Sequence, residues 1–336
     1  MAALLFGAST PFGKVLLSQW SPQQLAGWLY LGAALGVCLP ISLGRKGLFS
    51  GVISRANVWR LAGAILFGGI LGPVFLLAGL KLASASSVSL WLNLEMVATA
   101  FIGILFFRDH LGKWGWVGAA CIFAAGVLLS LGEGGAGTKA GVFLALACIC
   151  WGVDNNLTAL IDGLLPIQST FWKGLVAGLF NLALGIYLHP MQGTLESALE
   201  GLAVGAVSYG ASIALYISAA QGLGAARSQM LFASGPLFGL LLSHFLLRET
   251  FQVHHAVALF FQAAGVFLLF RDQHNHAHVH QAMEHTHSHR HDDGHHTHAH
   301  EGQPASLRHT HPHPHAPMEH RHLHWPDTHH RHSHGA

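Results

Sequence analysis

The stretch Leu82-Ala83-Ser84-Ala85-Ser86, which runs through an apolar segment to Phe106-Phe107-Arg108-Asp109, returns about 140 residues later as Leu223-Gly224-Ala225-Ala226-Arg227 running on to Leu246-Leu247-Arg248-Glu249. Each copy is followed by a span closing on Ala-Ala-Gly-Val, at Ala124 to Val127 and at Ala263 to Val266. Upstream the match is weaker: Phe6-Gly7-Ala8 aligns with Trp151-Gly152-Val153, and Pro22 and Pro166 follow the respective spans. The Arg-Asp and Arg-Glu pairs fall at the same point of each copy, which separates a duplication from the chance likeness of Ala/Gly/Leu-rich helices.

Around these landmarks the chain is too apolar to be soluble. Of 336 residues 51% are hydrophobic and 10% charged, against about 25% charged in a soluble domain. A bilayer core needs roughly 20 apolar residues per helix, whose backbone must satisfy its own hydrogen bonds. Apolar runs of that kind fall near 2–18, 24–43, 60–81, 86–107, 115–132, 140–161, 169–188, 200–220, 225–247 and 254–270. The fold class expected is therefore an all-α polytopic membrane protein of ten transmembrane helices. The duplication divides it into a first repeat over 1–133 and a second over 138–271, leaving 272–336 as a tail. Five crossings is an odd number, so the second copy enters the membrane in the opposite sense, giving two inverted five-helix repeats.

Lysine and arginine bias sets orientation. An N-terminus inside puts Arg45, Lys46, Arg55, Arg60, Arg108, Lys113, Arg227 and Arg271 on the cytoplasmic face and leaves Lys81, Lys139 and Arg248 outside. Both termini are then cytoplasmic, in the plasma (inner) membrane. No basic n-region precedes the first apolar run, so no cleaved signal peptide is expected. Trp20, Trp28, Trp59 and Trp114 near span ends fit interfacial anchors. Cys38, Cys121, Cys148 and Cys150 lie in apolar runs without CxxC spacing and read as packing residues.

At Phe6-Gly7-Ala8 to Lys14, at the Leu94-Glu95 span ending in Arg108-Asp109, and at the Ser234-Gly235-Pro236 span ending in Arg248-Glu249, the chain resembles the EamA family of the drug/metabolite transporter superfamily. The resemblance covers nearly everything up to Phe270. It implies ten helices in two inverted repeats, cytoplasmic termini, and movement of small metabolites, often outward. The family commonly has Pro after the Glu of the fourth span, where this chain has Met96.

Ionisable groups inside a span need a partner or a task. The most polar patch at membrane depth is Trp151-Gly152-Val153-Asp154-Asn155-Asn156, where a glycine beside three polar residues is expected to loosen the helix. Asp154 and Thr158, at i and i+4, are expected to line one wall of a cavity, with Asn155 about 100° around the helix. Glu95, with Asn93 beside it, calls for a proton during the cycle or for Lys14 or Lys173 as ion-pair partner. The substrate-site candidates are Asp154, Asn155, Asn156, Thr158, Glu95, Asn93, Lys14 and Lys173. Lys14 also reads as snorkelling to the interface. His244, on an apolar face, reads as packing.

Gly132-Glu133-Gly134-Gly135-Ala136-Gly137-Thr138-Lys139 lacks the Gly-Lys-Ser/Thr order of a phosphate loop. No nucleotide domain and no catalytic triad are present, so the chain is expected to be a secondary transporter and not an enzyme.

From His274 onward about one residue in three is histidine, too little apolar content to repay ordering; an unstructured tail is expected. His274, His276, His278, His280, His285, His287, His289, His291, His309, His311, His313 and His315 are candidate ligands for Zn, Ni or Co. Against a dedicated metal carrier, no two spans offer a His-x3-His pattern, and His254 and His255 are adjacent near a span end. The function expected is export of small metabolites such as amino acids by alternating access. The alternative is a divalent-metal transporter or metal-responsive membrane protein. No cofactor is required; the partners expected are lipid, a small-molecule substrate, divalent ions at the tail and a second copy in a homodimer, with no nucleic acid.

Overall fold

The computed structural model describes residues 1–43, 54–107, 111–161, 164–216 and 232–271, together with backbone strands at 274–280, 283–289, 309–315 and 318–324. Arg45, Lys46, Arg108, Asp109, Arg227 and His291, all invoked above, lie outside the described residues. The chain divides into two units, Met1–Asp272 with Pro326–Ala336, and Gln273–Trp325.

In the first unit the described residues form helices and no strands. They are α1 (Ala2–Leu16), α2 (Pro22–Leu43), α3 (Arg55–Leu82), α4 (Ala85–Phe106), α5 (Lys113–Gly132), α6 (Gly134–Ala159), α7 (Pro166–Leu188), α8 (Leu195–Tyr216), α9 (Gly235–Leu247) and α10 (Val253–Arg271). Seven of them, α3 to α8 and α10, are long and apolar enough to cross a membrane; α1 and α9 are shorter apolar helices. Their starts follow from local chemistry. Ser54, Ser84 and Thr194 cap α3, α4 and α8 by accepting from the amide three residues on, and Pro166 and Pro236 occupy first turns, where the missing N–H costs nothing.

The outside of the unit is greasy: Phe106 and Phe245 are 74% exposed and Phe260 71%. Such a surface is stable only against lipid. Inside, Leu25, Leu29, Leu76, Leu80, Trp91, Leu129, Leu144 and Tyr209 form one buried cluster. Glycine and alanine let the helices approach: a Cβ on Gly118 would come 2.6 Å from the Gly265 carbonyl and one on Gly265 2.7 Å from that of Gly118. This glycine pair is why α5 and α10 pack so closely.

The helix pairs form a pattern. α2 packs on α7 and α5 on α10; α1 lies against α8 and α9, while α6 lies against α3 and α4.

Four helices are irregular. α1 is interrupted at Ala8, α4 at Leu92 and Asn93, and α3 and α8 each contain a seven-residue π-helical segment, Ile65–Leu71 and Gly205–Ala211. α6 corrects an expectation. It is continuous through Asp154-Asn155-Asn156, because Asn156 spends its amide on the Gly152 carbonyl of its own helix and on the Thr99 carbonyl of α4. The loosened backbone is across the interface, in α3. Trp20 is another correction: it is 2% exposed and packs edge-on against Trp28, 5.7 Å away, and so is no interfacial anchor. Trp59 is 69% exposed, and Trp114 carries the Arg271 guanidinium 4.8 Å from its ring centroid.

In the second unit the backbone forms β1 (His274–His280), β2 (Met283–His289), β3 (His309–His315) and β4 (Met318–His324). β1 pairs antiparallel with β4 and β2 with β3, setting His276 opposite His322 and His287 opposite His311. This differs from the unstructured tail read from composition. The His-x-His alternation has the period of two that a strand requires, and paired backbone bonds form without an apolar core.

Candidate functional site

One group of polar residues in the helical unit gathers around the π segment of α3. In that segment the backbone bonds shift from the α-helical ladder, leaving carbonyls that need other donors. The Gly68 carbonyl receives Tyr30 Oη at 2.5 Å and Trp151 Nε1 at 3.1 Å; the Gly69 carbonyl receives Asn181 Nδ2 at 3.1 Å. Four helices, α2, α3, α6 and α7, therefore meet on two glycines.

Asp154, on the same face of α6 as Trp151 and Thr158, points at this junction. Lys173 of α7 donates to both its oxygens, at 2.6 and 2.7 Å, and Thr158 Oγ1 donates to Oδ1 at 2.9 Å. The pair is nearly dry, with side chains 12% and 10% exposed. A Cβ on Gly68 would fall on the Asp154 carboxylate. The glycine is what makes room for the charge.

Asn155, one residue on, faces α4 instead. Its amide donates to Glu95 Oε1 at 2.8 Å and to Thr99 Oγ1 at 3.1 Å. Small cavities flank the network, each with room for little more than a water. One is lined by Phe6, Asn93, Glu95, Met96, Phe232 and Pro236. The other is lined by Tyr30, Thr158, Ser169, Thr170, Lys173 and Tyr209. Aromatic rings bridge the space between: Phe6 lies 6.4 Å from Trp151 and 5.9 Å from Tyr209, and Tyr209 lies 5.5 Å from Tyr30. Two carboxylates, one ammonium, amides and a wall of rings can bind a small amphipathic molecule carrying charge of either sign.

Six of the eight substrate-site candidates, Glu95, Asp154, Asn155, Asn156, Thr158 and Lys173, are thus brought into one connected region. Asn93 lines the Glu95 cavity, with its amide donated to Gln262 of α10 at 3.1 Å. Lys14 stands apart. Its ammonium donates to the Leu80 and Ala83 carbonyls at 2.6 and 2.7 Å, at the negative end of α3. Lys173 pairs with Asp154 and not with Glu95, whose partner is an amide. Tyr30, Tyr209 and the Gly68–Gly69 pair are not singled out by the sequence; only the double glycine within an apolar run is a signal.

A second polar group surrounds the start of α4. Glu249, just after the left-handed Arg248 (φ 55°) that ends α9, accepts from the Ala85 and Ser86 amides at 2.8 Å each and from Ser86 Oγ at 2.6 Å. Glu133, between α5 and α6, accepts from the hydroxyls of Ser84 and Ser87, and Ser87 Oγ lies 2.9 Å from His255 Nε2 of α10. Burial would raise the Glu133 carboxyl, but these serine hydrogen bonds and the nearby His255 hold it below the usual carboxylate range. His244 is exposed, with Nδ1 2.8 Å from the Glu249 carbonyl.

Comparison with known proteins matches the same part of the chain. An "uncharacterized transporter" of Methanothermobacter thermautotrophicus is 27% identical over 290 residues, covering 80% of this chain and 84% of that protein. A solved structure described only as "crystal structure of protein" superposes with a TM-score of 0.57 at 17% identity, over 79% of this chain and 93% of that one, which speaks to fold alone. Residues 1–131 and 138–271 both match the EamA-like transporter family, and the chain belongs to that family.

Proposed function

We propose that the protein is a secondary transporter exporting small metabolites, amino acids or related compounds, by alternating access about the Asp154–Lys173 and Glu95–Asn155 contacts. The observation that carries this reading is the buried Lys173–Asp154 pair held against the π segment of α3, with the Glu95 carboxylate of α4 held by Asn155, the next residue of α6. A carboxylate–ammonium pair can be exchanged for pairs with the ammonium and carboxylate of a zwitterionic substrate. No net charge is then left bare in a low-dielectric site. Glu95 supplies a group that can take up a proton and so link substrate flux to a proton gradient.

The reading includes ten crossings in two inverted five-helix repeats. In its support, the π segments of α3 and α8 lie at matching points of the two copies. The helix pairs also map onto one another under exchange of halves: α2–α7 and α5–α10 map to themselves, and α1–α9 maps to α6–α4. Both termini lie in the cytoplasm at the plasma membrane, and the tail histidines bind divalent metal there as a separate element.

The test is an efflux screen of amino acids and divalent ions from liposomes, with and without a pH gradient. Saturable efflux of an amino acid that Asp154→Asn abolishes is the expected result. Efflux of metal ions alone would overturn the reading. So would labelling that puts the two termini on opposite faces.

A further inference from the structure

We infer that Glu133, His254 and His255 form a binding site for one divalent first-row metal ion of the zinc, cobalt or nickel class. The three residues come from the α5–α6 junction and the first turn of α10, far apart in sequence, yet their ligand atoms lie within 4.8 Å of one another. The site belongs wholly to the helical unit and shares no residue with the Asp154 region or the His-rich tail.

Three observations point to a ligand there. His254 Nε2 is buried with no hydrogen-bond partner among the described residues, an unfavourable state unless something else satisfies the nitrogen. Its ring rests on the Gly132 backbone, where a Cβ would come 2.5–2.8 Å from three ring atoms; the glycine opens the space the imidazole fills. Beside it, the His255 ring is held at a centroid distance of 4.2 Å, with the residue 2% exposed. Two imidazoles, tilted 55° to one another, with a carboxylate supply the nitrogen and oxygen donors borderline metals prefer.

Two imidazoles and one carboxylate form a three-ligand zinc set that leaves a fourth position to water or another ligand. Donors on a tetrahedral ion stand about 3.3 Å apart, so side-chain rotation closes the site. The outer partners are in place: Ser84 and Ser87 hydroxyls orient Glu133, and the Gln252 amide, 3.2 Å from His255 Nδ1, and Ser87 at its Nε2 orient the ring. Coordination by His255 replaces one of those two bonds. Because Ser84 caps α4 and Ser87 lies in its first turn, an ion here ties α10 and the α5–α6 junction to the helix carrying Glu95.

The test uses the full-length chain with every histidine after Asp272 replaced by asparagine, titrated with Zn2+ or Co2+ in detergent. One ion per chain is expected, with visible absorption of tetrahedral cobalt. His254→Ala and Glu133→Gln weaken binding by at least about tenfold, and the exposed His189→Ala leaves it unchanged. His254→Cys retains the ion and adds a thiolate-to-cobalt band, a readout that holds even where the alanine variant fails to fold. The inference is overturned by absence of saturable binding in the tail-substituted chain, by affinity indifferent to Glu133→Gln, or by a His254→Cys chain with no thiolate band.

Discussion

The ammonium of Lys173 stands 2.6 and 2.7 Å from the two carboxylate oxygens of Asp154, fastening α7 to α6 beside two glycines of α3. Removing one partner of such a pair strands the other without water. Asp154→Asn and Lys173→Met should each cost about 3 kcal/mol or more. The double variant should regain much of that loss, since no bare charge remains. Thermal unfolding of the three solubilised variants measures the coupling; single and double changes that simply add would show the pair to be uncoupled. Substrate flux is expected to vanish in all three.

Glu95 can be separated from that pair because its partner is the Asn155 amide. Glu95→Gln keeps an oxygen to accept that hydrogen bond but can no longer gain or lose a proton. Its unfolding temperature should stay near that of the parent chain. Flux in liposomes should lose its response to a pH gradient, and a variant still driven by the gradient would remove Glu95 from the coupling step.

Gly68 sets the distance between α3 and α6. Alanine there would place its methyl group on the Asp154 carboxylate, and the clash is with a buried, ion-paired group that cannot swing aside. A destabilisation of about 1–3 kcal/mol is expected, with loss of transport at temperatures where the protein is still folded. An equally apolar change on the lipid face, Phe245→Leu, should alter neither.

The long apolar runs mark the helices because the backbone in lipid must bond to itself, and Asp154 with Thr158 is legible because i and i+4 share a helix face. The partner of Asp154 was not. Lys14 and Lys173 read from the sequence as partners for Glu95, and only packing of α7 on α2 and α3 brings Lys173 to Asp154 instead. The sequence points to a loosened backbone in α6, beside its polar residues, whereas it occurs in the polar-free Ile65–Leu71 of α3. The donors from Tyr30, Trp151 and Asn181 that stabilise it come from three other helices, which no local pattern records. Glu133, His254 and His255 likewise meet only through tertiary packing.

The repeated Arg-Glu pair makes the last contrast. In sequence Arg248 and Glu249 carry equal weight as a mark of duplication, but their physical roles differ. Arg248 is exposed, so Arg248→Ala should change stability by no more than about 0.5 kcal/mol. Glu249 satisfies two amides at the start of α4 that no intrahelical carbonyl can reach. Glu249→Ala leaves both without an acceptor and should cost about 1–2 kcal/mol, the range for a lost helix cap, or a lowering of the unfolding temperature by several degrees. Glu249→Gln keeps one accepting oxygen and should fall between. A scan in which Arg248→Ala is the more damaging of the two would assign the geometry of this corner to the arginine, and the cap on α4 would carry no weight.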